Sequence, residues 1–419
     1  MASRGTLQIA DLEPVGPGTP AGRYLRLFWH PVMRAQDLPP GKAKPLEVLG
    51  EKFTIYRGEA GTPHITAFRC AHRGTQLSLG WVENGTLRCR YHGWRFDGNG
   101  QCVEQPNEDR PFCEKVKLPT YPSREYAGLI FAYFGEGAPP PFRTYPDLDR
   151  PGVLLADPVE VLPCTFWNRF DNDHGHRAWV HRATAIRKNR PDILVIRHEA
   201  VEECPYGFIG YRAVKGRGEH ADSSMGVVEG LKQSAEQHIE MARCIHWFMP
   251  NVRLWFQRTR AKGFEDRDLW ETKCVWIVPI NDDKHAAFDV TLTPLDGDEA
   301  RAYRQSRQQQ EEEDETRWDL AEKILAGEMA LEDLPDGMSA YTSFTIEDYV
   351  TQVGQGPLRT RGPELLSVSE ERIILLRRLW LREVNALADG KPLTDWKLPT
   401  EPFVSMAKQA RGEAAALTN

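Results

Sequence analysis

Short apolar runs of strand character occupy the first third of the chain, at positions 52–56, 64–68, 86–89 and 129–133. Turn clusters separate them, at Gly58-Glu59-Ala60-Gly61, Glu83-Asn84-Gly85 and Asp97-Gly98-Asn99-Gly100. This spacing predicts a compact all-β domain over residues 24–137, preceded by an N-terminal arm, 1–23. Prolines then crowd into Ala138-Pro139-Pro140-Pro141, with Pro146 and Pro151 close behind, which marks 138–152 as a stiff connector.

Beyond the connector the pattern changes. The stretch 163–184 looks helical in its later half, and strand candidates at 242–248 and 253–260 flank the turn residues Pro250-Asn251. Further strands are expected at 269–279 and 286–292, so an antiparallel sheet is the simplest reading. Residues 301–325 are dense in Gln, Glu and Arg, with Trp318, Leu320 and Leu325 recurring, which predicts a solvated surface helix whose 311–315 acidic run is a charged face. Ile373, Leu376, Leu379, Trp380 and Val384 recur at helical spacing and predict an amphipathic C-terminal helix over 369–388. The fold class is therefore α+β, with an all-β domain followed by a mixed domain over 153–419.

Composition narrows the function. A chain of 419 residues with 41% hydrophobic residues has material for more than one packed core, and a net charge of -7 offers no basic excess for a phosphate backbone. The longest apolar runs, 128–134 and 373–376, fall far short of the roughly 20 residues of a spanning helix. The first residues carry Asp11 and Glu13 and no apolar signal core, so a cytoplasmic location is expected. Eight cysteines in so long a chain read as thiols or metal ligands, not as a disulfide framework.

Four of the scarce Cys and His residues form two pairs. Cys70-Ala71-His72 and Cys89-Arg90-Tyr91-His92 present C-x-H, sixteen intervening residues, then C-x-x-H. A tetrahedral Cys2His2 zinc site competes with a two-iron, two-sulfide cluster in which two histidines replace two cysteines on one iron. Zinc usually takes both members of a close pair of one type, whereas a Cys and a His in each loop suit two irons, one fed by both thiolates and the other by both imidazoles. Cys102, Cys113, Cys164, Cys204, Cys244 and Cys274 lack partners at either spacing and read as buried thiols.

Cys70-x-His72 and Cys89-x-x-His92-Gly93-Trp94 resemble the Rieske motif, and Arg73-Gly74 with the turn at 97–100 resembles the Rieske domain of ring-hydroxylating oxygenases. Neutral imidazole ligands raise the potential of such a cluster to roughly -150 to +300 mV, which lets it accept and pass on electrons. Trp94 and Tyr91 would pack around the cluster or tune it.

A second constellation lies in Trp167 to His181, whose last eleven residues hold three histidines and two aspartates. On a helix His174 and His181 would sit about 10 Å apart along the axis, too far to share one ion. His176 and His181 are about 7.5 Å apart and roughly 140° around, with Asp173 between them, a spread that a local π-bulge would make convergent. This register agrees with the family resemblance, in which a D-x-x-H-x-x-x-x-H segment supplies two ligands to a mononuclear iron; Asp173, His176 and His181 match it. The resemblance also implies that Asp173 links a neighbouring subunit's cluster to an iron-bound histidine, and that a distant carboxylate completes the iron site. Glu347-Asp348 ahead of Gln355-Gly356-Pro357 resembles the segment that carries it. Asp348 is the expected ligand, with Glu347 as the alternative. Where the family often carries an Asn this chain has Phe170, flanked by Asn168 and Asn172.

The resemblance implies an antiparallel sheet wrapped on a long helix (helix-grip) for the second domain, a head-to-tail homotrimer, and activation of dioxygen beside a bound substrate. No nucleotide or flavin fingerprint and no plant-type cluster run is present in the sequence, so a separate NAD(P)H reductase, with or without a ferredoxin, is the expected electron source. Chain length, the polar insertion and the Q-G-P segment look most like the phthalate dioxygenase and aromatic O-demethylase branch. Monooxygenation of a methoxylated aromatic acid is the leading expectation; a ring dioxygenase, an electron carrier without mononuclear iron and a structural zinc module are its rivals. Arg253, Arg258 and Arg260 read as strand-edge or surface residues, with pairing to a substrate carboxylate as the alternative, and His246 as a side chain that a sheet would present to a pocket.

Overall fold

The computed structural model describes residues 7–172, 177–189, 197–214, 245–259, 261–264, 267, 269–313 and 317–403. Its N-terminal part holds three small antiparallel sheets. The first pairs Ala43–Val48, Glu51–Arg57, Pro63–Ala67 and Thr120–Tyr121 in that order, and the second pairs Trp29–Arg34, Leu129–Tyr133 and Ser123–Tyr126. The third is a ribbon of Trp81–Glu83, Thr86–Arg88, Arg95–Phe96 and Cys102–Glu104. Asn84 and Gly85 both take positive φ between Glu83 and Thr86, the two-residue hairpin whose twist matches the strands it joins.

The second part is built on one antiparallel sheet. Its order is Val153–Ala156, Lys284–Thr293, Trp270–Asn281, Val252–Arg258, Ile245–Phe248, Gly207–Val214 and Arg197–Cys204, with Glu160–Leu162 also paired to Lys284–Thr293. The ladder sets Phe208 beside Trp247, Trp247 beside Arg253, Arg253 beside Val275 and Val275 beside Asp289, so these five share a face. Leu254, Cys274 and Val290 alternate onto the opposite face with Trp276, which meets Phe131 of the N-terminal part at 5.5 Å between ring centroids. The backbone amides of Leu49 and Gly50 also donate to the carbonyls of Pro279 and Ile280. The two parts thus share a continuous core.

Helices cover the first face. Trp380, fully buried on the C-terminal helix Glu371–Ala388, packs against Tyr24, Phe166, Trp167 and Phe170 and donates from its indole to the Pro250 carbonyl at 3.0 Å. Phe170 in turn meets Trp247 of the sheet edge-on at 5.0 Å. An aromatic stack therefore fixes the helix Phe166–Asp171, which leads into the second metal segment, against both the sheet and the long helix. No helix among the described residues is long and apolar enough to cross a membrane.

One expectation needs correction, and two elements went unpredicted. The polar stretch is helical over Gly297–Glu313 and Arg317–Leu325 as expected but not simply solvated, because its first part reaches into the sheet: Tyr303 is fully buried and donates to Glu271 at 2.7 Å, while Arg307 donates to Asp157 at 2.8 Å. Hydrophobic periodicity is blind to a face that packs through hydrogen bonds. The helix Ala340–Gly354 and the hairpin Arg197–Cys204/Gly207–Val214 were not expected from the pattern; the first is rich in Thr and begins at a Ser339 cap that accepts from the Thr342 amide at 3.0 Å. In the described part of the N-terminal arm, Leu12, Val15 and Ala21 are fully buried. Glu13, equally buried, accepts from the Leu358 amide at 2.7 Å and from Arg359 at 3.0 Å.

Candidate metal centres

The two Cys/His loops are built alike. In each, the cysteine carbonyl accepts from the amide of a glycine four residues on, Gly74 at 2.9 Å and Gly93 at 3.1 Å, and both glycines have positive φ. The Cys70 amide donates to Thr75 and the Cys89 amide to Trp94, each at 2.8 Å, which closes two tight turns facing one another. The Cys70 and Cys89 thiols are both buried and near enough to bear on one another; burial pushes the Cys70 thiol up to about 11, with Cys89 adding to the rise. The His72 and His92 rings meet at 4.5 Å between centroids. Like therefore sits with like, the segregation that two irons with different ligand pairs require. His72 Nδ1 is buried without a hydrogen-bond partner, an orphaned nitrogen that a metal would satisfy. These residues fit a two-iron cluster.

Trp94 stacks on His72 at 4.5 Å with an interplanar angle of 5°, fixing that ring, while Tyr91 covers His92 at 3.7 Å and is 58% exposed. Leu79 and Trp81, which precede the second loop in sequence, are also exposed.

In the second constellation, Asp173, His174 and His176 lie outside the described residues. His181 stands at a break between the short helices Arg177–Val180 and Arg182–Arg187, so no single continuous helix carries it. The helix Ala340–Gly354 approaches from across the core and presents Phe344, Glu347 and Asp348 to His181 at three- and four-residue spacing. The two acids do different things. Glu347, fully buried, lies 3.0 Å from His181 Nδ1 through one oxygen and accepts from the Thr184 amide at 2.9 Å through the other. Asp348 is partly exposed, and its Oδ1 lies 3.8 Å from His181 Nε2. One imidazole nitrogen is thus held by an oriented carboxylate and the other faces a second one. A ring oriented in that way, with its far nitrogen facing a second carboxylate, fits a mononuclear metal.

The asparagines also separate. Asn168 donates to the carbonyls of Gln352 and Gly356 at 2.6 and 3.1 Å and accepts from Arg361 at 2.9 Å, so it pins the end of the Asp348 helix and is fully used there. Asn172 donates to Asp348 Oδ1 at 3.4 Å and is the one beside that carboxylate.

Other expectations resolve differently. His246 points to the face opposite Trp247 and Arg253, at 2.9 Å from the Tyr206 hydroxyl and stacked on Phe403 at 3.7 Å, which makes it a core residue and not a pocket group. Arg253 is no edge residue: it is 3% exposed on an interior strand. Arg260 and Cys244, with His220 and His238, lie outside the described residues, as does the side chain of Arg258. Cys113 and Cys204 are only partly buried, unlike Cys102, Cys164 and Cys274.

The residues missed from the sequence form a polar network on the sheet face that carries Arg253. Lys273 Nζ lies 3.0 Å from Asp157 and 3.2 Å from Asp289. Burial alone would raise the Asp157 carboxyl, but Lys273 and Arg307 outweigh it and hold it below the ordinary carboxylate range. A cleft of about 950 Å³ opens beside this network, lined also by Trp318 and Tyr341. The available signal was a charged residue inside an otherwise apolar strand, at Lys273 and Asp289.

The chain is similar to known proteins along most of its length. Residues 28–122 match the Rieske [2Fe-2S] domain. The chain is 26% identical to the 5,5'-dehydrodivanillate O-demethylase oxygenase subunit of Sphingobium sp. (strain NBRC 103272 / SYK-6), over 91% of this chain and 80% of that one. It is also 26% identical to the phenoxybenzoate dioxygenase subunit alpha of Ectopseudomonas oleovorans, over 91% of this chain and 85% of that protein. Among solved structures, the oxygenase in a complex with the ferredoxin of carbazole 1,9a-dioxygenase superposes with a TM-score of 0.57 at 20% identity, covering 91% of this chain and 94% of that one, which supports the fold.

Proposed function

We propose that this chain, which carries a Rieske domain and is homologous along most of its length to Rieske oxygenase alpha subunits, is the terminal oxygenase of a multicomponent system that monooxygenates an aromatic compound. The reaction best supported is O-demethylation of a methoxylated aromatic acid. The observation that carries the reading is His181 held between Glu347 and Asp348 in the same chain as the paired cysteines and paired histidines. In this reading Cys70 and Cys89 hold one cluster iron and His72 and His92 the other, while His176, His181 and Asp348 hold the mononuclear iron. When bound, these groups supply one-electron transfer and dioxygen activation.

The chain's own residues supply the rest. Glu347 fixes the His181 tautomer by taking the Nδ1 proton in a hydrogen bond, which leaves Nε2 as the donor atom. Asn172 steadies Asp348, and Asn168 anchors the end of the helix that delivers it. Asp173 keeps the relay role that the family resemblance gives it. In the overall reaction one oxygen atom enters a methyl C–H bond and the other leaves as water, against a pair of electrons and a pair of protons; the resulting hemiacetal expels formaldehyde and a phenol.

A carbazole dioxygenase oxygenase is known in complex with a ferredoxin, and this chain would likewise draw electrons from a ferredoxin or a separate NAD(P)H reductase in the cytoplasm. The homotrimer that the family resemblance implies is supported by exposed apolar side chains near both centres: Leu79, Trp81 and Tyr91 in and beside the cluster loops, and Trp179 and Ile186 on the helices around His181. Docking the first on the second of another copy would bring unlike centres together and close a ring. Light scattering on the intact protein should give three times the chain mass; an active monomer at high dilution would exclude the ring.

Function is tested by incubating the loaded enzyme, a surrogate reductase and NADH with methoxylated and carboxylated aromatics while following oxygen uptake and products. Stoichiometric formaldehyde is expected. A cis-diol in its place would make the chain a ring dioxygenase.

A further inference from the structure

The described residues include five thiols that the metal sites do not use: Cys102, Cys113, Cys164, Cys204 and Cys274. Cys164 and Cys274 sit in separate cores of the second part, and Cys204 packs against the larger of these. Cys102 and Cys113 are placed differently. They share the small core of the N-terminal part with Cys70, Cys89 and Trp94, Cys102 buried within it and Cys113 packed on it.

Backbone bonds bring the two together. Gln101 bridges to Lys117, and the Cys102 amide donates to the Val116 carbonyl at 3.0 Å. The Val116 amide donates in turn to the Cys113 carbonyl at 3.0 Å, so the turn Cys113–Lys115 folds back over the start of the strand Cys102–Glu104. The Gln101 side chain clamps this turn by donating to the carbonyls of Cys113 and Val116 at 2.6 and 3.0 Å. The two thiols are near enough to bear on one another: burial pushes the Cys102 thiol up to about 12, and Cys113 adds to the rise. Cys102 is 2% exposed, whereas Cys113 is only partly buried. One thiol is therefore open to a reagent from solvent and the other waits behind it, the asymmetry of an attacking and a resolving thiol.

Their neighbours tie the pair to the cluster. Phe112, the residue before Cys113, meets Trp94 edge-on at 5.6 Å, and Trp94 is the ring stacked on His72. A bond between the sulfurs replaces a non-bonded approach by a covalent one, so it draws the turn toward the strand. The rings that fix a cluster ligand move with it.

We propose that Cys102 and Cys113 are a reversible dithiol–disulfide pair, an oxidation site behind the cluster whose state reaches His72 through Phe112 and Trp94. The oxidant is a small-molecule disulfide such as oxidised glutathione. The Cys113 thiolate attacks one of its sulfurs and expels a glutathione thiolate, leaving a mixed disulfide; Cys102 then loses its proton, attacks the Cys113 sulfur and expels the second glutathione thiolate. One S–S bond forms in the protein as one breaks in the oxidant. Two electrons pass to the glutathione, and the two thiol protons go with them. The pair needs the cluster beside it but no particular substrate, so it stands apart from the demethylase reading.

The test equilibrates intact, cluster-loaded protein in anaerobic glutathione buffers of rising oxidised fraction, then alkylates it with iodoacetamide and maps the peptides by mass. Alkylation of Cys102 and Cys113 should fall together, by roughly tenfold from the most reducing buffer to the most oxidising, as a cross-link that dithiothreitol reverses. The visible circular dichroism of the cluster should shift with the same midpoint. Cys113→Ser should keep its cluster and its activity in reducing buffer and show neither change, while Cys102→Ala should stop at a mixed disulfide between Cys113 and glutathione. If the alanine variant fails to fold, the serine variant at the more exposed position still decides. The pair is overturned if both thiols stay alkylatable in every buffer, if wild-type Cys113 holds glutathione without passing the bond to Cys102, or if the cross-link forms and the dichroism does not move. A bridge from either residue to Cys70 or Cys89 would equally overturn it.

Discussion

Asp348→Ala should strip the mononuclear iron from the purified protein and lower turnover on the order of a thousandfold or more, with the cluster irons fully retained. Asp348 stands 3.8 Å from His181 Nε2, and among the described residues the side-chain hydrogen bond it accepts is a long one, from Asn172 at 3.4 Å, so its oxygens suit a metal. Glu347→Gln should behave differently. Both Glu347 oxygens are committed, to the Thr184 amide and to His181 Nδ1, so an amide there would loosen the ring's orientation and weaken iron binding by about 10- to 100-fold without abolishing it. Metal analysis alongside product formation separates the two. Complete iron loss in Glu347→Gln with retention in Asp348→Ala would exchange the roles assigned to these acids.

The difference between these neighbours shows what the chain's sequence could and could not reveal. Cys70, His72, Cys89 and His92 were legible because the scarcity of their residue types and the repeated short spacing carry the signal, and each loop closes locally on a glycine four residues past its cysteine. Leu129–Tyr133 and the C-terminal helix were legible for a similar reason: their periodicity matches a single buried face. Asp348 was harder. Its helix, Ala340–Gly354, lacks a clean apolar stripe because Glu347, Thr342, Ser343 and Gln352 are buried through hydrogen bonds, and choosing between two adjacent acids needs the position of His181, which lies 166 residues away from Glu347. Arg253 was misjudged for the converse reason. A charge in a strand is normally at an edge or paired, and nothing in the local sequence signals a cation buried on an interior strand.

Acid should destabilise the protein steeply between about pH 6.5 and pH 4. His30, His246 and His285 are buried, and desolvation outweighs every other influence on them, lowering their pKa values to about 4, about 3 and about 3. Their ordinary value is about 6.5 in the unfolded chain. Below that pH the unfolded state takes up protons that the folded state refuses, so stability rises with pH through this window and is lost on acidification; each histidine accounts for about 2 kcal/mol at pH 5. Asp171 and Asp289, whose carboxyls burial raises, act in the opposite sense and offset part of the loss near the acid end. Asp157, held low by Lys273 and Arg307 against its burial, adds to the loss only at still lower pH. The thermal midpoint followed from pH 7.5 to 5 should fall, and His246→Gln should fall less steeply. A midpoint that stays level over this range would show that these histidines titrate normally in the folded protein.

Cluster assembly is the most direct test of all that precedes. Electron paramagnetic resonance of anaerobically purified, dithionite-reduced protein should show a Rieske-type signal, present in the Asp348→Ala variant and absent when Cys89 is replaced by serine. A silent spectrum from red-brown-free protein whose four loop residues hold zinc would contradict it.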